Sequence, residues 1–261
     1  MDHRPRKRFG QHFLHDAGVV SRIIDAFAPQ ANELVVEIGP GPGVLTRKLA
    51  GRVAKLIAVE IDRDLAATLK TGFADDGSVQ IDEADALKFD YCALVSKDQS
   101  LRIIGNLPYN ISTPLIFHLF DQAHCVQDML FMLQKEVVDR ICANPGSKNY
   151  GRLSVMAQWQ CKVKRLFTVP AGAFTPPPKV ESAIVYLKPY QQKPHPLKDY
   201  NRFARLVQAA FTQRRKTLRN SIKAFISADQ MQEISIDPAR RAETLSVAEF
   251  VALAEKAGEK S

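Results

Sequence analysis

Short apolar and β-branched runs alternate with amphipathic helical patterns along the first half of the chain, the helical patterns including residues 44–50 and 63–72. This alternation is typical of parallel strands that are connected by crossover helices. The predicted strands are LVVEI (34–38), LIAVE (56–60), SVQID (78–82), LRIIG (101–105) and MLFML (129–133). We therefore predict an α/β fold with a parallel sheet and helices on both of its faces.

The second half of the chain has a different pattern. Two strand-like runs, KVKRLFTV (162–169) and SAIVYLK (182–188), are separated by a proline-rich loop, which predicts an antiparallel hairpin that closes the sheet. A segment with three prolines follows at 188–200 and has the composition of a linker. Beyond it the pattern is helical. The sequence thus predicts an α/β domain over residues 1–190 and a small all-α domain over residues 191–261.

Positive charge is concentrated in two places. The 261-residue chain has a net charge of +8, and residues 199–226 hold seven Lys or Arg against one acid. Arg215, Arg219 and Lys223 recur every four positions, so on a helix they form a cationic stripe that suits a phosphate backbone. The N-terminal arm adds Arg4, Arg6, Lys7 and Arg8. A solvated charged face and a nucleic-acid surface both remain open on charge alone. On the nucleic-acid interpretation, the residues expected to contact phosphates are Arg214, Arg215, Lys216, Arg219 and Lys223.

Several classes of protein do not fit the sequence. No run approaches the roughly 18 apolar residues that span a membrane, and the charged N-terminus lacks the apolar region of a signal peptide, so a cytoplasmic protein is expected. The cysteines lie far apart without a zinc-site spacing, which predicts thiols in a reducing compartment and no metal. They are Cys92, Cys125, Cys142 and Cys161. No histidine or serine stands in the sequence context of a hydrolytic triad.

A glycine-rich loop and two acids indicate a nucleoside-containing cofactor. The loop EIGPGPG (37–43) follows the first predicted strand, and Gly39 and Gly41 allow a close approach of the backbone to a ligand. Its spacing departs from the dinucleotide fingerprint, and no Walker lysine is present, so NAD and ATP are poorly supported. Glu60 ends the second strand and can accept hydrogen bonds from ribose hydroxyls; Asp85 follows the third and can accept from an adenine amine. Acids at strand ends also serve as helix caps, but the combination favours S-adenosylmethionine.

The loop IGNLPYN (104–110) suggests the reaction. Adenine N6 is a poor nucleophile because its lone pair is delocalised into the ring. The side-chain oxygen of Asn106 and the carbonyl of Leu107 or Pro108 can each accept one N–H, which localises the lone pair on nitrogen, and the proline stiffens this geometry. Tyr109 offers a face on which a flipped-out base can stack. The loop predicts methyl transfer to an exocyclic base amine.

Taken in order along the chain, these motifs resemble the ribosomal RNA adenine N6,N6-dimethyltransferases and, within them, the bacterial small-subunit branch. The resemblance runs from residue 9 to about residue 222. It is carried by FGQHFL (9–14), EIGPGPG (37–43), NLPY (106–109), FTPPPKVESAIV (174–185) and AAFTQRRKTLRNSI (209–222).

The resemblance implies a Rossmann-like, class I S-adenosylmethionine-dependent methyltransferase domain with a small helical RNA-binding domain. It implies dimethylation of N6 on two adjacent adenosines near the 3′ end of small-subunit rRNA, during late assembly of the subunit. We also expect a monomer, because no exposed heptad or long apolar edge is evident. Phe174 matches the aromatic residue that sandwiches the target base opposite Tyr109, and relatives often have Asn where this chain has His12. The implied cofactor contacts are His12, Leu14, Gly39, Gly41, Glu60, Asp85 and Asn106.

Two alternatives remain open at this point. One is a related enzyme that modifies an adenosine of large-subunit rRNA or an adenine in DNA. The other is a non-catalytic assembly or RNA-binding factor that keeps the fold; such a factor would be expected to lose Asn106 or the glycine loop, and both are present.

Overall fold

The computed structural model describes residues 11–97, 99–213 and 215–258. The basic N-terminal cluster and Arg214 therefore lie outside the described residues. The chain divides into two compact units: the first contains the chain up to Val138 together with Lys164–Pro189, and the second contains Asp139–Val163 together with the chain from Tyr190 onward. The second unit thus includes residues 139–163, which the hydropathy pattern had assigned to the first domain.

The described residues form a seven-stranded sheet and a separate two-stranded one. The strands are β1 (Phe13–Leu14), β2 (Leu34–Ile38), β3 (Lys55–Glu60), β4 (Val79–Glu83), β5 (Leu101–Asn106), β6 (Val126–Gln134), β7 (Cys161–Val169), β8 (Phe174–Thr175) and β9 (Ser182–Pro189). The order in the large sheet is β4-β3-β2-β5-β6-β9-β7. Strands β2 to β6 pair in parallel, and β9 runs antiparallel to β6. The predicted parallel sheet is confirmed.

This strand order fixes where a ligand can bind. From β2 the chain moves outward through β3 to β4 and then returns to β5 on the other side of β2. In open α/β sheets such a reversal leaves a crevice at the carboxyl ends of the two central strands. The carboxyl ends of β2 and β5 carry the glycine loop and Asn106, so both motifs lie at the reversal.

The helices of the first unit connect these strands. They are α1 (Ala17–Phe27), α2 (Thr46–Leu49), α3 (Arg63–Gly72), α4 (Ser112–Asp121) and α5 (Lys135–Ile141), which reaches into the second unit. Helix α1 begins after Asp16, whose carboxylate accepts a hydrogen bond from the Val19 backbone N–H at 2.8 Å and caps the helix. Its buried face includes Ile23 and Phe27, which belong to the same core cluster as Val35 of β2. Helix α1 is therefore packed on the central part of the sheet.

The second unit is helical. Its helices are α6 (Arg152–Gln160), α7 (Tyr200–Thr212), α8 (Leu218–Ser221), α9 (Ala228–Glu233) and α10 (Val247–Lys256). The indole of Trp159 packs against the rings of Tyr200 and Phe203, with centroids 5.3 and 5.5 Å apart. These contacts attach α6 to α7, which explains why a segment before the last strands belongs to the second unit. The order of elements along the sequence does not reveal such a contact.

The predicted cationic helix over residues 215–223 is wrong as a continuous element. Helix α7 ends at Thr212, and α8 covers only four residues. The backbone N–H of Leu218 donates to the Arg240 carbonyl at 2.8 Å, and that of Arg219 donates to the Pro238 carbonyl at 3.1 Å. Because these N–H groups are satisfied by another segment, no long helix is needed to satisfy them.

A buried arginine joins α1, β5 and β6. The side chain of Arg102 is 8% exposed; its Nε donates to Asp128 at 2.8 Å and its Nη1 donates to Glu33 at 2.9 Å. Its Nη2 donates to the backbone carbonyl of Phe27 at 2.7 Å, and the guanidinium carbon lies 4.1 Å from the centroid of the Phe27 ring. The planar guanidinium thus serves two carboxylates and one helix end at once.

The prediction of four thiols is wrong for two of the cysteines. Cys92 and Cys125 form a disulfide, with Cα atoms 5.5 Å apart. Their separation of 33 residues gives no sign of this proximity in the sequence; it results from the packing of the segment after β4 against the segment before β6. Cys142 and Cys161 remain thiols. No helix of the described residues has the length and apolar character needed to cross a membrane.

Candidate active site

A cleft at the carboxyl edge of the sheet contains every predicted cofactor contact. It lies within the first unit. The predicted cofactor residues that line it are His12, Leu14, Gly39, Gly41, Glu60, Asp85 and Asn106. Leu107, Pro108 and Tyr109 line the same cleft. The fold therefore brings together segments that are separated by up to 97 positions along the chain.

The glycine loop is shaped by backbone conformations that favour glycine. Gly39 and Gly41 have φ values of 65° and 56°, in the left-handed region. A side chain at Gly41 would also meet the ring of Phe13, since a Cβ atom there would lie 3.2 Å from its Cδ1. At Gly39 and Gly41 the backbone itself can thus approach the cleft, with no side chain between it and a ligand.

Glu60 fastens this loop to the end of β3. Its Oε2 accepts a hydrogen bond from the Gly41 N–H at 3.1 Å, and its Oε1 accepts one from the Asp62 N–H at 2.8 Å. Burial raises the pKa of Glu60, while these two hydrogen bonds lower it. A carboxylate has about four acceptor positions, so Glu60 retains capacity to accept a hydrogen bond from a ribose hydroxyl.

Asp85 follows β4 and is positioned by its own turn. Its Oδ1 accepts a hydrogen bond from the Leu87 N–H at 3.0 Å. This local hydrogen bond, to the N–H of the residue two positions later, holds the carboxylate at the wall of the cleft. The Asp85 carboxylate can accept a hydrogen bond from an adenine amine.

The carboxamide of Asn106 is oriented by the segment before β1. Its Nδ2 donates to the backbone carbonyl of His12 at 3.0 Å. Because the amide nitrogen is engaged there, Oδ1 is left as the acceptor at the cleft. The loop after it is held by two backbone hydrogen bonds, from Leu107 N–H to the Met132 carbonyl at 3.1 Å and from Ile111 N–H to the Pro108 carbonyl at 3.2 Å.

Tyr109 presents a half-buried ring at the same cleft. Its hydroxyl and the Ser182 hydroxyl are hydrogen-bonded at 2.7 Å, and burial raises the pKa of the Tyr109 phenol. The imidazole of His12 stacks on this ring, with centroids 5.4 Å apart and planes inclined by 29°. His12 Nδ1 lies 2.7 Å from the Pro176 carbonyl oxygen, which holds the imidazole in place.

Phe174 is not at the surface of this cleft. It is 2% exposed and belongs to the core cluster that includes Leu14 and Ile184. Strand β8, which carries it, pairs with β1 so that Leu14 and Phe174 are opposite each other. The aromatic neighbour of Tyr109 in this structure is His12, and sequence reasoning missed it because the β1–β8 pairing joins segments about 160 positions apart.

Sequence reasoning also left Glu37, which begins the glycine motif, without a role. Its side chain lines the cleft although the residue is 1% exposed. Its Oε2 has no hydrogen-bond partner among the described residues. Burial raises the pKa of this carboxyl to about 7; the side chain and backbone of nearby Thr46 lower it, and the Glu60 carboxylate raises it. A buried acceptor without a donor is uncommon in a folded protein.

Replacing Glu37 by glutamine should flatten the dependence of stability on pH. Between the ordinary pKa of 4.5 and the folded value of about 7, the unfolded carboxyl is ionised while the folded one keeps its proton. The contribution of Glu37 to stability is therefore complete below pH 4.5 and is lost as the pH rises to 7, by up to about 3 kcal/mol. Denaturant unfolding at pH 5 and pH 7.5 measures this loss in both proteins. Equal losses would show that Glu37 does not titrate in this window.

The predicted RNA-binding cations lie in the second unit. Arg215, Lys216, Arg219 and Lys223 are exposed, and Arg214 lies outside the part of the chain that the structure describes. The neighbouring apolar residues Leu218 and Ile222 are fully buried. The segment therefore packs through its apolar residues and leaves its cations accessible to a polyanion.

The sequence of the whole chain matches known proteins. The profile of the family described as ribosomal RNA adenine dimethylase matches residues 2–258. The chain is 51% identical over 257 residues to the ribosomal RNA small subunit methyltransferase A of Pseudomonas aeruginosa. The aligned region covers 98% of this chain and 96% of the relative. The protein of the same name from Acinetobacter baylyi is 54% identical over 254 residues, covering 97% and 93%.

Two solved structures share the fold of this chain. A dimethyladenosine transferase from Plasmodium falciparum superposes with a TM-score of 0.79 at 29% identity, covering 93% of this chain and 96% of that one. The 23S rRNA methyltransferase ErmE superposes with a TM-score of 0.72 at 22% identity, covering 95% and 100%. At that identity, the second match indicates a shared fold only.

Proposed function

The chain belongs to the ribosomal RNA adenine dimethylase family, and from this premise we propose that it dimethylates N6 of two adjacent adenosines near the 3′ end of small-subunit rRNA, using S-adenosylmethionine. One observation carries the proposal beyond family membership. The Asn106 carboxamide is fixed by its bond to the His12 carbonyl, at the cleft that also contains the glycine loop and Glu60.

The residues of the cleft fit S-adenosylmethionine. The backbone at Gly39 and Gly41 would contact the cofactor directly. Glu60 would accept hydrogen bonds from the ribose hydroxyls, and Asp85 would accept one from the adenine amine. The unpartnered oxygen of buried Glu37 also suits a ligand that carries hydrogen-bond donors. When bound, this cofactor supplies an electrophilic methyl group on a sulfonium. His12, directly before β1, and Leu14, in β1, would form one wall of the cofactor site.

Asn106 and the following loop would activate the target amine. In a base that enters the cleft, N6 would donate one N–H to Asn106 Oδ1 and the other to the carbonyl of Leu107 or Pro108. Two acceptors out of the ring plane would localise the lone pair on N6 and orient it. The methylated amine is acidic, so its proton can pass to water without a strong general base. Because Asn106 Nδ2 is already committed to His12, the amide would present its oxygen without reorganisation.

Tyr109 would hold the base by stacking. Its ring is fixed by the bond to Ser182, and His12 covers part of it, so a base would stack on Tyr109 beside or in place of the imidazole. Phe174 would complete a sandwich only after its ring leaves the core, since it is 2% exposed. We therefore keep Phe174 as a proposed base contact that needs a change of conformation, and regard Tyr109 as the main one.

Substituting Tyr109 separates stacking from hydrogen bonding. Tyr109→Ala removes the ring and should reduce kcat/KM for methyl transfer by about 5- to 150-fold, since stacking contributes about 1–3 kcal/mol per base. Tyr109→Phe keeps the ring, loses only the bond to Ser182, and should stay within a few-fold of wild type. Steady-state methyl transfer measures both. Equal losses in the two variants would assign the role of Tyr109 to its hydroxyl instead of its ring.

The second unit is proposed to bind the RNA. Arg215, Lys216, Arg219 and Lys223 are exposed, and together with Arg214 and the N-terminal arm they would neutralise phosphates. We propose a monomer that acts in the cytoplasm on assembling small subunits. Among the described residues, Ile61 and Val180 are the exposed large hydrophobics, and two isolated side chains do not form the apolar patch of a stable dimer.

The substrate can be tested with labelled S-adenosylmethionine. Unmethylated small ribosomal subunits, large subunits and duplex DNA are offered in parallel, and transferred label is measured. Label in small subunits alone is the expected result. Label in large subunits or DNA would keep the reaction and change the substrate. Cofactor binding without transfer to any of the three would favour an assembly factor and contradict the proposal.

A further inference from the structure

Three potential metal-binding side chains meet at a place that is not part of the lining of the methyl-transfer cleft. Cys92 lies in a short 3₁₀ turn after β4, and His124 and Cys125 lie in another before β6. The two sulfur atoms and an imidazole nitrogen all lie within 4.8 Å of one another. In this structure the sulfurs are joined as a disulfide. Neither the proposed chemistry nor the RNA surface uses these residues.

The reduced form of this cluster has the ligands of a zinc site. Two thiolates and one imidazole favour a borderline-soft divalent ion, whereas calcium and magnesium take oxygen ligands. Zinc is usually four-coordinate, so three protein ligands leave one position. His124 is exposed and Cys92 is partly exposed, and water can therefore reach the remaining position.

The spacing of the ligands does not depend on the disulfide alone. The side-chain oxygen of Gln122 accepts from the backbone N–H groups of Tyr91 at 2.7 Å and Cys92 at 3.3 Å. Its Nε2 donates to the Phe89 carbonyl at 3.1 Å. Gln122 therefore fastens the segment that carries Cys92 to the end of α4, two residues before His124. Breaking the S–S bond leaves these hydrogen bonds in place.

We propose that the reduced Cys92–His124–Cys125 cluster is a binding site for a zinc-class divalent cation. A thiol reductant first supplies two electrons and two protons, which cleave the S–S bond to two thiols as the reductant becomes a disulfide. Two metal–sulfur bonds and one metal–nitrogen bond then form, and the two thiol protons are released to solvent. The disulfide form has no thiolates and does not bind the ion. The site reverses the expectation of a metal-free protein.

The test uses the full chain without a histidine tag. Protein is reduced with a non-chelating phosphine, freed of reductant under anaerobic conditions, and titrated with Co²⁺ as a spectroscopic probe and then with Zn²⁺ as its competitor. One equivalent with thiolate-to-cobalt charge-transfer absorption is expected for reduced protein, and none for oxidised protein. Cys92→Ser and Cys125→Ser should lose the absorption. His124→Ala should weaken binding by at least about tenfold, because even outer-shell changes cost 10- to 100-fold. Cys142→Ser, the matched control, should bind like wild type.

Alkylation of the wild-type chain gives a second measurement that needs no variant. Zn²⁺ should protect Cys92 and Cys125 from iodoacetamide at least about tenfold in rate, while Cys142, read in the same peptide digest, should react at an unchanged rate. Failure of the reduced protein to take up one equivalent, equal binding by the serine variants, or unchanged alkylation of Cys92 and Cys125 would each overturn the proposal.

Discussion

Replacing Asn106 by alanine is expected to lower the rate of methyl transfer by about 10³-fold while RNA binding survives. The variant loses the acceptor for one N6 N–H, and preorganised polar groups of this kind contribute on the order of 10²- to 10³-fold. It also loses the bond from Nδ2 to the His12 carbonyl, so the segment before β1 is less well held against the cleft. Single-turnover methyl transfer with saturating cofactor and RNA isolates the chemical step.

A matched control is available in Asn144, an exposed asparagine of the second unit. Asn144→Ala should retain the wild-type rate, and gel-shift affinity for the RNA substrate should be similar in wild type and both variants. Wild-type turnover by Asn106→Ala would contradict the acceptor mechanism. Loss of RNA affinity in the same variant would assign Asn106 to substrate binding instead.

Replacing Arg102 by alanine is expected to lower the free energy of unfolding by about 3–5 kcal/mol, the usual cost of removing one partner of a buried ion pair. Asp128 would lose two hydrogen bonds and Glu33 one, and the carbonyl of Phe27 would lose its donor. Burial makes the cost large, because water cannot replace the guanidinium without opening the core.

Denaturant unfolding measures this change. Arg52→Ala serves as the control, because Arg52 is exposed and surface substitutions usually stay within about 0.5 kcal/mol. A loss below about 1 kcal/mol for Arg102→Ala would mean that the network contributes little beyond the packing of an arginine side chain.

The sheet could be predicted well because its information is local. Runs such as 34–38 and 101–105 are apolar except for Glu37 and Arg102, as expected for strands buried on both faces, and they correspond to β2 and β5. Parallel strands bring their carboxyl ends to one edge, so the meeting of Glu60, Asp85 and Asn106 at one cleft followed from the predicted parallel arrangement.

What the sequence did not reveal depends on long-range contacts. The Cys92–Cys125 bond joins segments that have no shared pattern. The stacking of His12 on Tyr109 depends on the pairing of β1 with β8. The helical pattern over 215–223 was overridden because that backbone bonds to the segment near Arg240, and tertiary contacts commonly override local propensity.

Glu37 illustrates a different limit. Its place in the glycine motif was visible, yet an acid in a strand gives no sign of its burial or of an unpartnered oxygen. Only the structure brings it to the cleft beside Glu60 and raises its pKa to about 7. The roles of Phe174 and of the cations near residue 215 stay predictions.

The identity of the methylated atom is the sharpest test of the proposed reaction. RNA from unmethylated small subunits is treated with the wild-type enzyme and S-adenosylmethionine, digested to nucleosides, and examined by mass spectrometry with fragment sequencing of the 3′ region. The account predicts N6,N6-dimethyladenosine at two adjacent positions and no other new modification. A methyl group on ribose or on a ring carbon would contradict the reaction, because a carboxamide that accepts from an exocyclic amine has no role there. A methyl group on the exocyclic amine of another base would contradict the proposed substrate.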